Sequence, residues 1–98
     1  MKIVKKQEGT TLNLALEGRL DTTTSPQLET LLASELDGVT ELVFDFTGLD
    51  YLSSAGLRVL LSAQKRMNSQ GTMKLCNVNS TVKEVFDITG FSDFLNLE

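Results

Sequence analysis

The spacing of apolar residues changes along this chain, and the order of the changes limits the folds that it can adopt. Apolar residues alternate with polar or small ones over residues 11–17, which is the period of a β-strand, and recur at helical spacing over residues 28–36. A short apolar segment at the start is followed by a Glu8–Gly9 turn. The first two strands are therefore predicted to form an antiparallel hairpin that precedes the first helix.

Strands and helices alternate after this hairpin. The predicted helices start at serine or threonine caps and stop at glycines: Ser25 with Gly38, Ser53 or Ser54 with Gly71, and Ser80 or Thr81 with Gly90. Between them, residues 41–47 and 73–78 have the pattern of strands, and Asp45 is the one polar residue inside the first of these apolar runs. We expect that strand to be central and covered on both faces, and the tail around Phe91 and Phe94 to pack its aromatic rings.

The element order β-β-α-β-α-β-α predicts an α/β fold with a mixed sheet, three or four α-helices and parallel later strands, because helical crossovers join parallel neighbours. With 98 residues, 41% of them hydrophobic, the chain is predicted to be one domain over residues 1–98. The final pair, Leu97 and Glu98, resembles residues left by a cloning vector and receives no structural assignment.

Composition excludes several classes of function. The net charge of -4 argues against binding nucleic acid or an anionic membrane, and the absence of histidine excludes imidazole catalysis and His-containing zinc sites. Cys76 is the only cysteine, so a reducing, cytoplasmic setting without disulfides fits, and no apolar stretch is long enough for a membrane span. We expect no cofactor, no metal and no catalysis, and a monomer or weak dimer.

The segment from Asp45 to Leu57 is the most informative, because it puts two hydroxyls where a buried strand gives way to a helix. The small residues Ala55 and Gly56 leave Ser54 sterically open. A phosphoryl group on a serine at a helix start meets free backbone N–H groups, so the fold tolerates the added charge. The same residues also fit a plain helix cap, and the spacing alone favours that simpler interpretation.

Three separated motifs together resemble one known family. They are Gly18-Arg19-Leu20-Asp21 with the following Thr-rich turn, residues 42–61 with the core Leu52-Ser53-Ser54-Ala55-Gly56-Leu57, and residues 85–91. In this order and spacing they resemble the STAS domain of bacterial anti-sigma factor antagonists over nearly the whole chain. The resemblance implies a STAS-like mixed sheet with an antiparallel N-terminal hairpin.

The resemblance also implies a function and a site. Members of this kind bind, when unphosphorylated, an anti-sigma factor that is a serine kinase and so free the sigma factor; phosphorylation reverses the binding, and a serine phosphatase acts on the phosphorylated form. Alignment on Gly56 and Leu57 places the acceptor at Ser54, with Ser53 as the competing hydroxyl at a position where the family frequently has Asp. Asp21 and Arg58 join Ser53, Ser54 and Gly56 as expected partner-binding residues.

Other interpretations stay open at this stage. A STAS subunit of another assembly, such as a transporter-associated or stress-signalling scaffold, fits the same motifs. Asp21 equally fits a cap of the Thr-rich turn, and Asp45 is expected to be structural. Arg58 has a simpler interpretation as well, because an exposed Arg on a helix is usually only solvated. Cys76 is expected to be a buried strand residue. A metal enzyme would need Asp21, Asp45 and Asp50 together. A phosphoaspartate receiver domain is disfavoured, because this chain has no acidic pair after its first strand to hold Mg²⁺.

Overall fold

Strands and helices occur in the predicted order in the computed structural model, which describes residues 1–98. The elements are β1 (Lys2–Glu8), β2 (Thr11–Leu20), α1 (Ser25–Glu35), β3 (Glu41–Leu52), α2 (Ser54–Asn68), β4 (Thr72–Cys76), α3 (Ser80–Thr89) and a short 3-10 turn (Phe91–Asp93). None of the helices combines the length and the apolar character needed to cross a membrane.

The four strands form one sheet in the order β1-β2-β3-β4. β1 pairs with β2 in antiparallel orientation through a turn that contains Gly9 at φ 61°, and β2–β3 and β3–β4 are parallel. The mixed sheet, the N-terminal hairpin and the parallel later strands are therefore confirmed. β3 is central, because it has a neighbour on each side.

The expectation that β3 is covered on both faces is wrong. Leu42, Phe44 and Phe46 are fully buried, whereas Val43 and Asp45 between them are only half-buried. The reason is the strand order: β2, β3 and β4 follow one another in one direction, so right-handed crossovers place α1 and α2 on the same face of the sheet. The second face stays open to solvent. Cys76 lies on this open face and is half-exposed, not buried as expected.

One hydrophobic core fills the space between the covered face of the sheet and the helices. It contains 23 buried apolar side chains, which come from all three helices, from strands β2 to β4 and, for Leu36, Val39 and Leu95, from the segments outside them. Ser25 is the one buried polar side chain. It is not the N-cap of α1 that the sequence predicts, because Thr24 occupies that position and Ser25 is the first helical residue, with its hydroxyl donating to the Asp21 carbonyl at 2.5 Å.

The C-terminal residues pair with the free edge of β4. The Glu98 N–H donates to the Leu75 carbonyl at 2.8 Å, and the Leu75 N–H donates to the Asn96 carbonyl at 2.9 Å. Leu97 packs against the core, so the final pair is part of the fold. The aromatic tail is only partly as predicted: Phe91 is half-buried, but 68% of Phe94 is exposed because the 3-10 turn directs it outward.

Candidate functional site

The predicted site residues meet at the edge of the sheet where the parallel strands β2 and β3 end. Leu20 pairs with Leu52, and one residue further the Ser53 N–H donates to the Leu20 carbonyl at 2.9 Å. This bond fixes the start of α2 against the end of β2. As a result Asp21, on the turn after β2, and the two serines, after β3, belong to one surface.

The two serines have different environments. Ser53 is the N-cap of α2: its backbone is extended (φ -95°, ψ 173°), and its hydroxyl oxygen accepts from the Gly56 N–H at 3.4 Å. Ser54 is the first residue of the helix and is exposed, and its hydroxyl makes no hydrogen bond within the chain. One serine therefore caps the helix start, while the other has an exposed hydroxyl without a hydrogen bond in the chain.

Gly56 is buried and determines how closely α2 approaches β2. A Cβ atom at this position would lie 2.7 Å from Cγ of Leu20 and 2.8 Å from its carbonyl oxygen. Both distances are shorter than van der Waals contact. Gly56 thus contributes to the surface by letting the serines come to the end of β2, and its own atoms lie beneath that surface.

Asp21 organises the turn between β2 and α1. Its Oδ1 accepts from the backbone N–H groups of Thr23 and Thr24, at 3.0 and 3.1 Å, and its Oδ2 lies 3.5 Å from Arg19 Nε. The Thr24 backbone N–H is the main cause that holds the pKa of Asp21 below its ordinary value of 3.8. The turn-capping interpretation of Asp21 is therefore confirmed, and the carboxylate stays charged at neutral pH.

Sequence reasoning missed two neighbours of this site, Arg19 and Tyr51. They are directly opposite on the paired strands β2 and β3, and the Arg19 guanidinium lies 4.1 Å from the centre of the Tyr51 ring. Both side chains are exposed. The available signal is their register, since each stands one residue before a buried leucine, Leu20 or Leu52, and so points away from the core.

Arg58 and Asp45 lie apart from each other, because Arg58 follows Ser54 on α2 whereas Asp45 lies on the open face of the sheet. Arg58 is exposed on the first turns of α2, four residues after Ser54. Asp45 lies on the open face of the sheet, where its Oδ1 accepts from the Thr47 hydroxyl (2.6 Å) and N–H (3.0 Å) and from Asn77 Nδ2 (3.0 Å). The Thr47 hydroxyl, followed by Asn77, lowers the pKa of Asp45. The expectation that Asp45 is structural is confirmed.

The carboxylates do not assemble into a metal site. No group of three or more Cys, Asp or Glu side chains is placed to hold an ion together, so Asp21, Asp45 and Asp50 do not meet. What the edge does present is an exposed hydroxyl at a helix start, with Asp21 directly after β2 and the Arg19–Tyr51 pair near the ends of β2 and β3. This arrangement suits recognition and modification by another macromolecule.

Comparison with known proteins agrees with this geometry. The family model "STAS domain" matches residues 2–98, and the chain belongs to that family. A curated relative, BtrV of Bordetella bronchiseptica, carries the name of an anti-sigma factor antagonist; it is 40% identical over 93 residues, which cover 93% of this chain and 80% of BtrV.

Two solved structures of SpoIIAA have the same fold. The unphosphorylated form of this anti-sigma factor antagonist superimposes with a TM-score of 0.86 at 21% identity, covering 99% of this chain and 88% of SpoIIAA. The phosphorylated form of the Bacillus protein gives a TM-score of 0.78 at 20% identity, covering 99% and 91% of the two chains. At identities this low, the similarity to SpoIIAA shows the fold alone.

Proposed function

We propose that this protein is an anti-sigma factor antagonist that works as a phosphorylation switch. Its unphosphorylated form binds an anti-sigma factor that is also a serine kinase, and this binding releases the sigma factor. Transfer of a phosphoryl group to Ser54 ends the binding, and a serine phosphatase restores it. The protein itself catalyses no step and acts in the cytoplasm.

The observation that carries the proposal is the difference between the two serines. Ser54 is exposed with a free hydroxyl, whereas the Ser53 oxygen already accepts the Gly56 N–H and Ser53 is half-buried. A kinase needs access to the oxygen that it modifies, and modification of Ser53 would disturb the helix cap. The name of BtrV and the existence of a phosphorylated SpoIIAA structure support the same role.

The docking surface of the proposal is the sheet edge around the switch. It consists of Asp21, Ser53, Ser54 and Arg58, spaced by the buried Gly56, and we add the Arg19–Tyr51 pair. Tyr and Arg are, with Trp, the residue types enriched among those that dominate binding energy at protein interfaces. A phosphate of about -1.5 to -2 charges placed in the middle of such a surface opposes partner groups that match a neutral hydroxyl.

The test is phosphoryl transfer in purified components. The protein is incubated with ATP and the kinase-type anti-sigma factor encoded nearest to its own gene, and intact mass is recorded. We expect the gain of one phosphoryl group, its loss in Ser54→Ala, and its retention in Ser53→Ala. The control variant is informative because removing the cap costs about 1 kcal/mol of stability while leaving the acceptor in place.

Two outcomes would overturn the proposal. A phosphoryl group that persists in Ser54→Ala and disappears in Ser53→Ala would move the acceptor to the capping serine. No transfer, together with capture of a membrane transporter or a signalling scaffold by the immobilised protein, would favour the role of a STAS subunit in another assembly. The kinase without this protein serves as the blank.

A further inference from the structure

Arg58 is an exposed charged side chain on the first turns of α2, and it has no ion-pair partner in the chain. Of the nine Lys and Arg residues, six lie within 4.0 Å of a carboxylate oxygen: Lys2, Lys5, Lys6, Arg19, Arg66 and Lys74. Arg58, Lys65 and Lys83 do not. Of these three, only Arg58 lies on the first turns of α2, near Ser54.

We propose that the phosphate on Ser54 is bound by Arg58 of the same helix, so that phosphorylation also withdraws this cation from the docking surface. The inference rests on the proposed function, because it requires that Ser54 is the modified residue. It assigns to Arg58 two alternative partners: a carboxylate of the anti-sigma factor before modification, and the phosphoserine after it.

The helix geometry brings the two groups together. Residues four apart on an α-helix lie on the same face, with Cβ atoms about 5 to 6 Å apart. Helical side chains lean toward the N-terminus, so the Arg58 side chain is directed toward the turn that holds Ser54. An acidic residue that precedes a basic one by four positions is also the more favourable order.

The chemistry of the two groups fits as well. A guanidinium presents a planar fork of N–H donors that matches two phosphate oxygens, and three rotatable methylenes give it the reach that a serine phosphate requires. Since both residues are exposed, neither has to leave a buried position to form the pair. The pair forms within one rigid helix, so little backbone entropy is lost.

The other charges at this edge do not substitute for Arg58. Arg19 is held by the Asp21 carboxylate at 3.5 Å and by the Tyr51 ring at 4.1 Å, and Asp21 and Asp50 would repel a phosphate. Lys83 is exposed and unpaired, but it belongs to α3, so it needs its own control. Lys65 is exposed and unpaired on α2 itself, 11 residues from Ser54, about 16 Å along the helix axis.

The first experiment tests the phosphate–Arg58 contact without kinase or partner. Phosphoserine is encoded genetically at position 54, and its second pKa, near 6 for free phosphoserine, is measured by phosphorus NMR titration. A cation that binds the dianion lowers this pKa. We expect Arg58→Gln to raise it by about 0.3 of a unit relative to the unsubstituted chain, and Arg58→Lys to keep most of the lowering.

Matched controls decide the assignment. Lys65→Gln removes the same charge from the same helix and is expected to leave the phosphate pKa unchanged. An equal phosphate pKa in the Arg58→Gln variant and the unsubstituted chain would overturn the inference. So would a rise that occurs in Lys83→Gln and not in Arg58→Gln, because it would assign the cation to α3.

The second experiment tests the other partner of Arg58. In the Ser54→Ala background, where no phosphate can form, Arg58→Gln is expected to weaken binding to the kinase-type anti-sigma factor about three- to fivefold, and Lys65→Gln to leave it unchanged. Equal affinities for Ser54→Ala with and without Arg58→Gln would show that Arg58 does not contribute to docking, and would overturn this part of the inference. Failure of the kinase to modify Ser54 would instead overturn the proposed function. The NMR titration needs no kinase, so it would still report whether Arg58 binds a phosphate at position 54.

Discussion

The two ends of helix α2 differ in how their polar side chains are bonded. At its end, Gln70 Nε2 donates to the carbonyls of Leu36 and Val39, at 2.6 and 2.7 Å, and Arg66 pairs with Asp37 at 2.6 Å. At its start, the hydroxyl of Ser54 and the guanidinium of Arg58 have no partner within the chain. The groups at the end of α2 are bonded to the rest of the fold, whereas the hydroxyl and the guanidinium at its start remain available for the docking that we propose.

A glycine makes each close approach possible. Gly71, three residues after α2 ends, lies so near Thr40 that a Cβ atom would overlap its carbonyl group, and Gly56 lies against Leu20. The comparison teaches that a glycine in a motif has two separable effects, on stability and on the position of the groups beside it. The predictions below separate these effects, beginning with the largest.

Gly71→Ala is expected to give the largest loss of stability. The new Cβ meets the Thr40 backbone, which also accepts the Thr72 N–H at 2.9 Å, so the strand end cannot move freely. We expect a loss of about 3 kcal/mol in the free energy of unfolding, measured by urea denaturation. The folded fraction should still be phosphorylated at the normal rate; a defect in phosphorylation equal to that of a site variant would contradict the comparison.

Gly56→Ala is expected to be milder for stability and more severe for function. The Cβ would contact the Leu20 side chain and carbonyl at 2.7 and 2.8 Å, but alanine is a better helix former by about 1 kcal/mol, which offsets part of the strain. We expect a net loss of about 1 to 2 kcal/mol. Because α2 must retreat from β2, phosphorylation of Ser54 should fall at least tenfold. Normal phosphorylation would show that the close approach does not position the serine.

As the pH falls, the turn that Asp21 caps, next to the start of α2, should lose its structure before the C-terminal end of α2 does. The pKa values of Asp21 and Asp45 are lowered in the folded state, chiefly by the Thr24 N–H and by the Thr47 hydroxyl respectively. Carboxylates with a lowered pKa stabilise the fold above about pH 4 and lose this contribution as the pH falls below it. Asp21→Asn keeps an acceptor oxygen but does not titrate, so its stability should fall less between pH 5 and pH 2.

The amide signals of Thr23 and Thr24 provide the local readout for this prediction. In the unsubstituted protein their NMR shifts should titrate together below pH 4, while the amides of Gly71 and Thr72 should not move with them. Simultaneous titration at both ends of α2 would indicate global acid unfolding and would contradict a local role for Asp21.

Much of the fold follows from the sequence because apolar periodicity and glycine stops determine the elements and their order. The both-face cover of β3 could not be predicted in this way, since Val43 counts as apolar whether it faces a helix or solvent. The strand order decides that question, and strand order is a tertiary property. The pairing of Leu97 with Leu75 was missed for a similar reason, because two terminal residues carry no periodic signal.

Candidate site residues could be predicted where a sequence motif contains them, and were missed where only the pairing of two strands brings them together. Ser53, Ser54 and Gly56 lie within four consecutive residues, so the resemblance to a known motif is enough to predict them as site residues. Arg19 and Tyr51 are separated by more than thirty residues and meet only because β2 and β3 pair in parallel. The capping role of Asp21 was one of two open interpretations; its hydrogen bonds show the cap, and its contact with a partner stays a prediction.

The central claim is that charge on Ser54 controls binding while the fold is unchanged. Isothermal calorimetry with the kinase-type anti-sigma factor tests it most directly, using the unmodified protein, Ser54→Ala and Ser54→Asp. Asp at a helix start suits the helix dipole, so Ser54→Asp should alter the free energy of unfolding by less than about 1 kcal/mol.

The account predicts that Ser54→Ala binds nearly as well as the unmodified protein and that Ser54→Asp binds roughly ten- to a thousandfold more weakly, which corresponds to about 1.4 to 4 kcal/mol. Encoded phosphoserine should weaken binding at least as much as Asp, since it carries more charge and bulk. Equal affinities for Ser54→Asp and Ser54→Ala would contradict the account, because charge at the start of α2 would then not be the switch.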